Sequence, residues 1–344
     1  MPPTLNTLVL HLKMNKWANK SVLITGGAGL IGSALARNLV TVGAQVIVID
    51  DLSRGNLEFL ADALPNISLQ TFDLRDYQRC KEAIRGVDVV VHMASRVGGI
   101  KVYTNEAFSI MNDNILIDSN VLRAALHNGI KNFFYASSAH VYPISMQNTI
   151  EGQKMTESNA YPADPLLSYG WAKLIMEKQL EYAADEFKDF SVAVARYIGI
   201  YGPNQDYGLQ TGSVIPVFSH RAIKYPEISF SVWGDGEETR SYCFIDDAVD
   251  CTKMMIEKMD IQQMVGPYNV GSSDIIKIKE IAQKVVEISQ KDITLEFDTS
   301  QKAKILSQWC DCQKIYEDLG WKPQTSFDDG LKIVYNDIQR RIKQ

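Results

Sequence analysis

Several residue types are scarce in this sequence, and each shortage removes a class of function. Histidines number only five in 344 residues (11, 92, 127, 140 and 220), and none has the spacing of a metal-ligand pair. Cysteines also number five: Cys80, Cys243, Cys251, Cys310 and Cys312. The count is odd, the spacings do not repeat, and Cys310 and Cys312 lack a second pair to complete a zinc site. Neither a resident metal nor a disulfide framework is expected, and reduced thiols suit a cytoplasmic compartment. No apolar run approaches the length needed to cross a bilayer. The N-terminus lacks the basic start, long apolar centre and small-residue cleavage site of a signal peptide. Residues 1–19 read as a disordered leader, with Met14 as an alternative start just ahead of the first apolar strand. Basic charge is not in excess: 35 Lys and Arg against 41 Asp and Glu leave a net charge of −6, which gives no support for nucleic-acid or anionic-membrane binding. Internal repeats and low-complexity segments are absent.

What is present is the texture of a folded enzyme-sized chain. Hydrophobic residues make up 46%, enough for a large core, and the length predicts one large domain or two unequal lobes. Short apolar runs at 21–24, 45–49, 68–72, 87–92, 132–136 and 191–197 alternate with helical stretches, including Leu30–Val42, Tyr77–Arg85, Asp113–Asn128 and Tyr169–Phe187. Strands alternating with helices predict an α/β fold, a doubly wound parallel sheet of Rossmann type. Val87–Val91 is apolar almost throughout, as a strand covered on both faces requires. After Tyr201-Gly202-Pro203 glycine and proline become frequent. Residues 20–200 therefore read as the nucleotide-binding domain and 201–344 as a smaller mixed α/β substrate lobe, with about 240–260 packing back on the first.

Gly27-Ala28-Gly29-Leu30-Ile31-Gly32 fits G-x-G-x-x-G, with Gly26 as an extra glycine, and it follows an apolar strand and opens a helix. Glycines there allow a tight turn and let a pyrophosphate reach the N–H groups of the helix N-terminus. Asp50 lies 18 residues beyond Gly32 at the end of the second strand. A carboxylate at that place accepts hydrogen bonds from ribose hydroxyls and repels a 2′-phosphate, which favours NAD over NADP. Arg54 nearby reads as a solvated loop residue. Asp73 and Leu74, where the third strand ends, and Ala94, past the fourth, together with Tyr169 and Lys173, complete the expected cofactor contacts. For Asp73 there are two readings, a contact to adenine or a helix N-cap.

Tyr169 and Lys173 are four residues apart and share one face of a helix. The ammonium is expected to lower the phenol pKa, so that Tyr169 takes a proton from a substrate hydroxyl. Ser138, at the end of the preceding strand, is placed to hydrogen-bond the same hydroxyl.

Thr25–Gly32, Ala136-Ser137-Ser138-Ala139-His140-Val141-Tyr142 and Tyr169-Gly170-Trp171-Ala172-Lys173 together resemble the extended short-chain dehydrogenases/reductases, the nucleotide-sugar epimerase/dehydratase family. The resemblance continues through Tyr201-Gly202-Pro203, Trp233–Gly236, Thr239-Arg240-Ser241, Phe244–Asp247, Tyr268–Gly271 and Leu319–Pro323. It implies a Ser138–Tyr169–Lys173 triad and a bound NAD that is recycled while a nucleotide-diphosphate sugar passes through a keto form. It also implies a homodimer formed through the helices at 113–128 and 169–187. Val97-Gly98-Gly99-Ile100 resembles the loop of GDP-mannose 3,5-epimerases, where Gly98 and Gly99 would let the sugar approach. Arg240 has two readings, a diphosphate clamp or an ion pair with Asp246 or Asp247; the resemblance favours the clamp.

The departures concern the chemistry. His140 stands where those epimerases carry a cysteine acid/base, and Ser213-Val214 where its basic partner belongs. Gly199 replaces a phosphate-site asparagine, and Ser307-Gln308 an arginine. His140 either moves a proton at a carbon beside the keto group or only fills the pocket wall while C4 inverts. The expected activity is epimerisation, at C4 or at C3/C5. A 4,6-dehydratase or another keto-sugar-forming enzyme is the alternative, and a non-catalytic NAD-binding sensor a more distant one. The nucleotide base and the sugar are open.

Overall fold

Residues 16–98, 100–301 and 303–343 are described by the structure, a computed structural model. The first six strands are β1 (Ser21–Thr25), β2 (Gln45–Asp50), β3 (Ile67–Thr71), β4 (Val89–His92), β5 (Asn132–Ser138) and β6 (Ser191–Tyr197). Between them run helices α1 (Leu30–Thr41), α2 (Tyr77–Ala83), α3 (Ile100–Asn105), α4 (Ala107–His127) and α5 (Ser168–Glu186). The chain then leaves the sheet through β7 (Ile200–Tyr201), α6 (Val214–Lys224), β8 (Phe230–Trp233), β9 (Thr239–Arg240) and β10 (Cys243–Phe244). It returns along α7 (Ile245–Lys258) and β11 (Met264–Val270). A second excursion follows: β12 (Ile276–Lys277), α8 (Ile278–Ser289), β13 (Leu295–Asp298), β14 (Ser307–Gln308), α9 (Gln313–Leu319) and α10 (Phe327–Lys343).

The main sheet has the order β11-β6-β5-β4-β1-β2-β3, and its pairings are parallel. Side chains alternate strictly between its two faces. Val22, Ile24, Val46, Val48, Val89 and Val91 face the core under α1 and α7, whereas Leu23, Ile49, Val90, Phe133 and Tyr135 face the core under α2, α4 and α5. Strand order reverses between β1 and β4, which opens a crevice beyond their C-terminal ends. The second lobe carries three small sheets, β10-β7, β12-β9-β14 and β13-β8.

Three expectations change. The leader through residue 19 and the alternative start at Met14 fall mostly outside the described residues, but Trp17 is only 4% exposed and its indole donates to Glu257 of α7. The chain is therefore part of the core by Trp17, because a large aromatic ring gains more from burial than a leader would. The return of the second lobe runs past 240–260: β11 is the edge strand of the main sheet, beside β6. Helix α4 begins at Ala107, six residues ahead of Asp113.

Candidate active site

A cavity of about 1320 Å³ opens at the reversal point. Its floor is the turn after β1. Gly26 has φ +66°, and a Cβ there would lie 2.8 Å from the backbone of Ala94; a Cβ on Gly32 would run into the Gly26 carbonyl oxygen. Helix α1 starts at Gly29 with no side-chain cap, so no side chain competes for its first N–H groups. Gly26, Gly29, Leu30, Ile31, Gly32, Asp50, Asp73, Leu74 and Ala94 all line this cavity. This is a cradle for a dinucleotide: bare N–H groups for a pyrophosphate and a carboxylate for a ribose.

Asp50 Oδ2 accepts from Ala28 N at 2.9 Å and Oδ1 from Leu52 N at 2.9 Å. Each oxygen keeps a lone pair for a ribose hydroxyl. Burial raises the Asp50 pKa, and the two backbone donors act against that rise. Two loop expectations need correcting. Arg54 is not merely solvated: although exposed, it donates to the Val97 carbonyl at 3.2 Å and lines the cavity. Asp73 is not the N-cap of α2; Asp76 is, accepting from Arg79 N at 3.2 Å. Asp73 is held by Arg75, whose Nη2 donates at 2.6 Å. That ion pair, the largest cause, lowers the Asp73 pKa.

The opposite wall carries Ser138, Tyr169 and Lys173, from the end of β5 and the first turns of α5. Lys173 Nζ donates to the Ala136 carbonyl at 2.8 Å and lies 5.6 Å from the Tyr169 ring centre. The expected lowering of the phenol pKa is not found. Burial raises it, reinforced by the nearby Tyr103 and Asp118, while hydrogen bonding from Ser138 pulls the other way. In the folded protein desolvation of the phenol is the largest influence on it. Burial likewise lowers the Lys173 pKa.

His140 packs edge-on against Tyr169, with ring centres 5.7 Å apart, and its Nδ1 lies 3.0 Å from Ser138 Oγ. Burial, with Arg240 nearby, pushes its pKa down to about 4, so the ring is neutral at physiological pH. His140, Gly98 and Arg240 are not among the cavity-lining residues, and Gly99 lies outside the described ones. Arg240 pairs with neither Asp246 nor Asp247. It donates to the carbonyls of Thr239 and Ile305, at 2.7 and 2.9 Å, while Asp247 accepts from Gln324 N and Thr325 N. The departure at Gly199 has a steric reason: φ is +59°, and a Cβ would run into the Ser241 carbonyl oxygen.

Three side chains of the site carry no sequence signal. Tyr103 of α3 stacks 5.5 Å from Tyr169, Ser95 lines the wall beside Ala94, and Arg341 reaches the cavity from α10. Arg341 donates to the Gln205 carbonyl at 2.8 Å.

A Rossmann cradle facing a serine–tyrosine–lysine wall defines a nucleotide-dependent oxidoreductive site. The chain belongs to the NAD dependent epimerase/dehydratase family, whose profile matches residues 22–271. It is similar to GDP-mannose 3,5-epimerase of Arabidopsis thaliana, with 32% identity over 330 residues, 95% of this chain and 84% of that one. UDP-N-acetyl-alpha-D-glucosaminuronate decarboxylase of Bacillus cytotoxicus is 30% identical over 322 residues, 91% of this chain and 96% of that one. Among solved structures, UDP-glucose 4-epimerase of Thermotoga maritima with UDP-glucose matches with a TM-score of 0.82 at 25% identity, covering 94% of this chain and 99% of that one. NAD is the cofactor, and the Gly26–Gly32 cradle with Asp50 fits it.

Proposed function

We propose that this protein is an NAD-dependent nucleotide-diphosphate-sugar epimerase that inverts C4 of the sugar through a transient keto form. One observation carries the reading: Ser138, Tyr169 and Lys173 share a wall of the cavity that also holds the dinucleotide cradle. Tyr169 takes the proton of the C4 hydroxyl as the carbonyl forms and returns it once the sugar has turned its other face. Ser138 donates to the same oxygen. Lys173, fixed on the Ala136 carbonyl, keeps positive charge beneath the phenol. NAD, when bound, supplies the hydride acceptor and a ring charge that favours the phenolate. Leu74, Asp73 and Ala94 bound the adenosine half of the cofactor.

His140 moves no proton in this scheme and instead backs Ser138 and Tyr169. An imidazole pushed down to about 4 is a weak base toward a carbon-bound proton, and its Nδ1 is engaged by Ser138. No basic side chain stands at Ser213 to act from the other face. The similarity to GDP-mannose 3,5-epimerase favours a second reading, inversion at C3 or C5 through an enolate. Turnover of GDP- and UDP-sugars in deuterium oxide, followed by mass spectrometry and NMR, separates the two. C4 inversion returns the sugar's own hydrogen, so no deuterium should appear on carbon. Stable incorporation at C3 or C5, lost in His140→Ala, would replace this reading with the second.

We also propose a cytoplasmic homodimer. Helices α4 and α5 pack side by side and leave Phe108 (82% exposed), Tyr182 (67%), Leu116 and Trp171 on the outside. Apolar side chains grouped on two adjacent helices suit an isologous four-helix contact. Light scattering at micromolar concentration should give twice the chain mass; a monomer alone would refute the dimer.

A further inference from the structure

Behind the catalytic wall runs a line of polar side chains without access to solvent. Thr25, His92, Asp118 and Tyr135 are each at most 1% exposed. Met93 N and Ala94 N both donate to Thr25 Oγ1 at 3.2 Å. Thr25 Oγ1 lies 2.6 Å from His92 Nδ1, and His92 Nε2 lies 2.9 Å from Asp118 Oδ1. The Tyr135 hydroxyl donates to Asp118 Oδ2 at 2.8 Å. The proton order follows from the acceptors. Thr25 Oγ1 has both lone pairs in use, so its hydroxyl donates to Nδ1, and the imidazole proton sits on Nε2, facing the carboxylate.

Burial lowers the pKa of His92, so this ring is neutral and does not balance Asp118. Among the described residues no lysine or arginine is within ion-pair distance of Asp118; its one such contact is His92. A buried carboxylate without compensating charge is strongly disfavoured. The cation that faces it is Lys173, whose Nζ sits 4.5 Å from the centre of the Tyr135 ring. The ring of Tyr135 touches the ammonium and its hydroxyl touches the carboxylate. Lys173 is also faced by Tyr169 and Glu177 on its own helix and by His92 on β4. Glu177 is already matched: Arg196 of β6 donates to both its oxygens, at 3.0 and 2.6 Å, and Ser137 donates to it as well.

We infer that Asp118, acting through Tyr135, is the counter-ion of Lys173 and holds it as an ammonium beneath Tyr169. Asp118 is a positioning residue, since it touches neither the cavity nor the reacting atoms. The inference rests on the reading in which Tyr169 and Lys173 do the chemistry. Its sign is definite. The charge of Asp118 raises the pKa of Lys173 against burial, and it raises the Tyr169 phenol as well. Removing that charge lowers both. The ionisations of the phenol and of the ammonium in the pH–rate profile then move together to lower pH. A merely structural role would scale the rate without moving them.

The test uses Asp118→Asn, which keeps the shape: the amide oxygen accepts from His92 and the amide nitrogen donates to Tyr135. Lys173 is titrated by NMR in the full chain as purified, with carbon-13-labelled lysines and the signal assigned by Lys173→Met. Its titration should fall by about one pH unit, roughly a tenfold change in acid constant. Tyr135→Phe, which keeps the ring and removes the donor, should give a smaller fall in the same direction. A Lys173 titration unmoved in both variants overturns the counter-ion. If the asparagine variant does not fold, Tyr135→Phe decides, and an unmoved titration there overturns it equally. Full activity in Tyr169→Phe would refute the catalytic reading while leaving the lysine titration to judge Asp118.

Discussion

Tyr169→Phe is expected to lower turnover by about 10²–10⁴-fold, the usual contribution of a positioned acid/base, while NAD binding stays nearly unchanged. The two effects separate because they belong to different walls. The phenol hydroxyl is on the α5 side, with Ser138 and Lys173, whereas the glycine turn proposed to hold the pyrophosphate follows β1 and Asp50, the proposed ribose contact, ends β2. The ring itself stays packed against Tyr103 and His140, so its loss of one oxygen leaves no large cavity. Turnover of the active nucleotide-sugar, paired with NAD titration by calorimetry, checks both halves. Wild-type turnover in the variant would mean that the proton acceptor is another group; lost NAD affinity would mean that the substitution has disturbed the fold.

Glu177→Gln is expected to destabilise the protein by about 3–5 kcal/mol, the usual result of leaving one partner of a buried ion pair uncompensated. Arg196 is one of the most deeply buried side chains of the molecule, and Glu177 supplies its only counter-charge within ion-pair distance among the described residues. The remaining partners of Arg196, the Tyr142 hydroxyl and the Glu157 carbonyl, are neutral. The pair also fastens α5 to β6 and, through Ser137, to the end of β5. Guanidinium unfolding of the two proteins gives the difference directly. A loss below about 1 kcal/mol would show that water or a backbone shift compensates Arg196, contrary to its near-complete burial.

The main sheet and the cofactor turn were legible because both leave local patterns. Two-sided burial makes β1, β2 and β4 apolar runs, and the pyrophosphate cradle demands glycines at fixed offsets. Strand β11 was not legible for an equally local reason. It contains Gly266-Pro267, and a proline inside an apolar run argues against a strand. The structure accommodates it at the sheet edge, with a register shift between Val265 and Tyr268 that takes up the irregularity. The early start of α4 was hidden because Glu106 gives no side-chain cap to mark it. At the site, Tyr169, Lys173 and Ser138 could be named from spacing and resemblance, but the state of the phenol could not. It depends on how much protein surrounds the group, and residue order does not carry that quantity. Tyr103 and Arg341 come from helices with no motif of their own, and only the tertiary fold brings the one against Tyr169 and the other to the cavity.

The path of the chain through β11 bears on how such an enzyme acquires a new ligand. The last strand of the main sheet is supplied by chain that has already left it once, through β7 to β10, and that leaves it again for β12 to α10. The second lobe is therefore two long excursions from one scaffold and not an appended module. Insertions, deletions and substitutions within either excursion can change the second lobe while strand order, the glycine turn and the Ser138–Tyr169–Lys173 wall remain as they are. Wholesale exchange of the lobe by fusion at a single junction ahead of β7 also removes β11, the strand that covers the edge of β6.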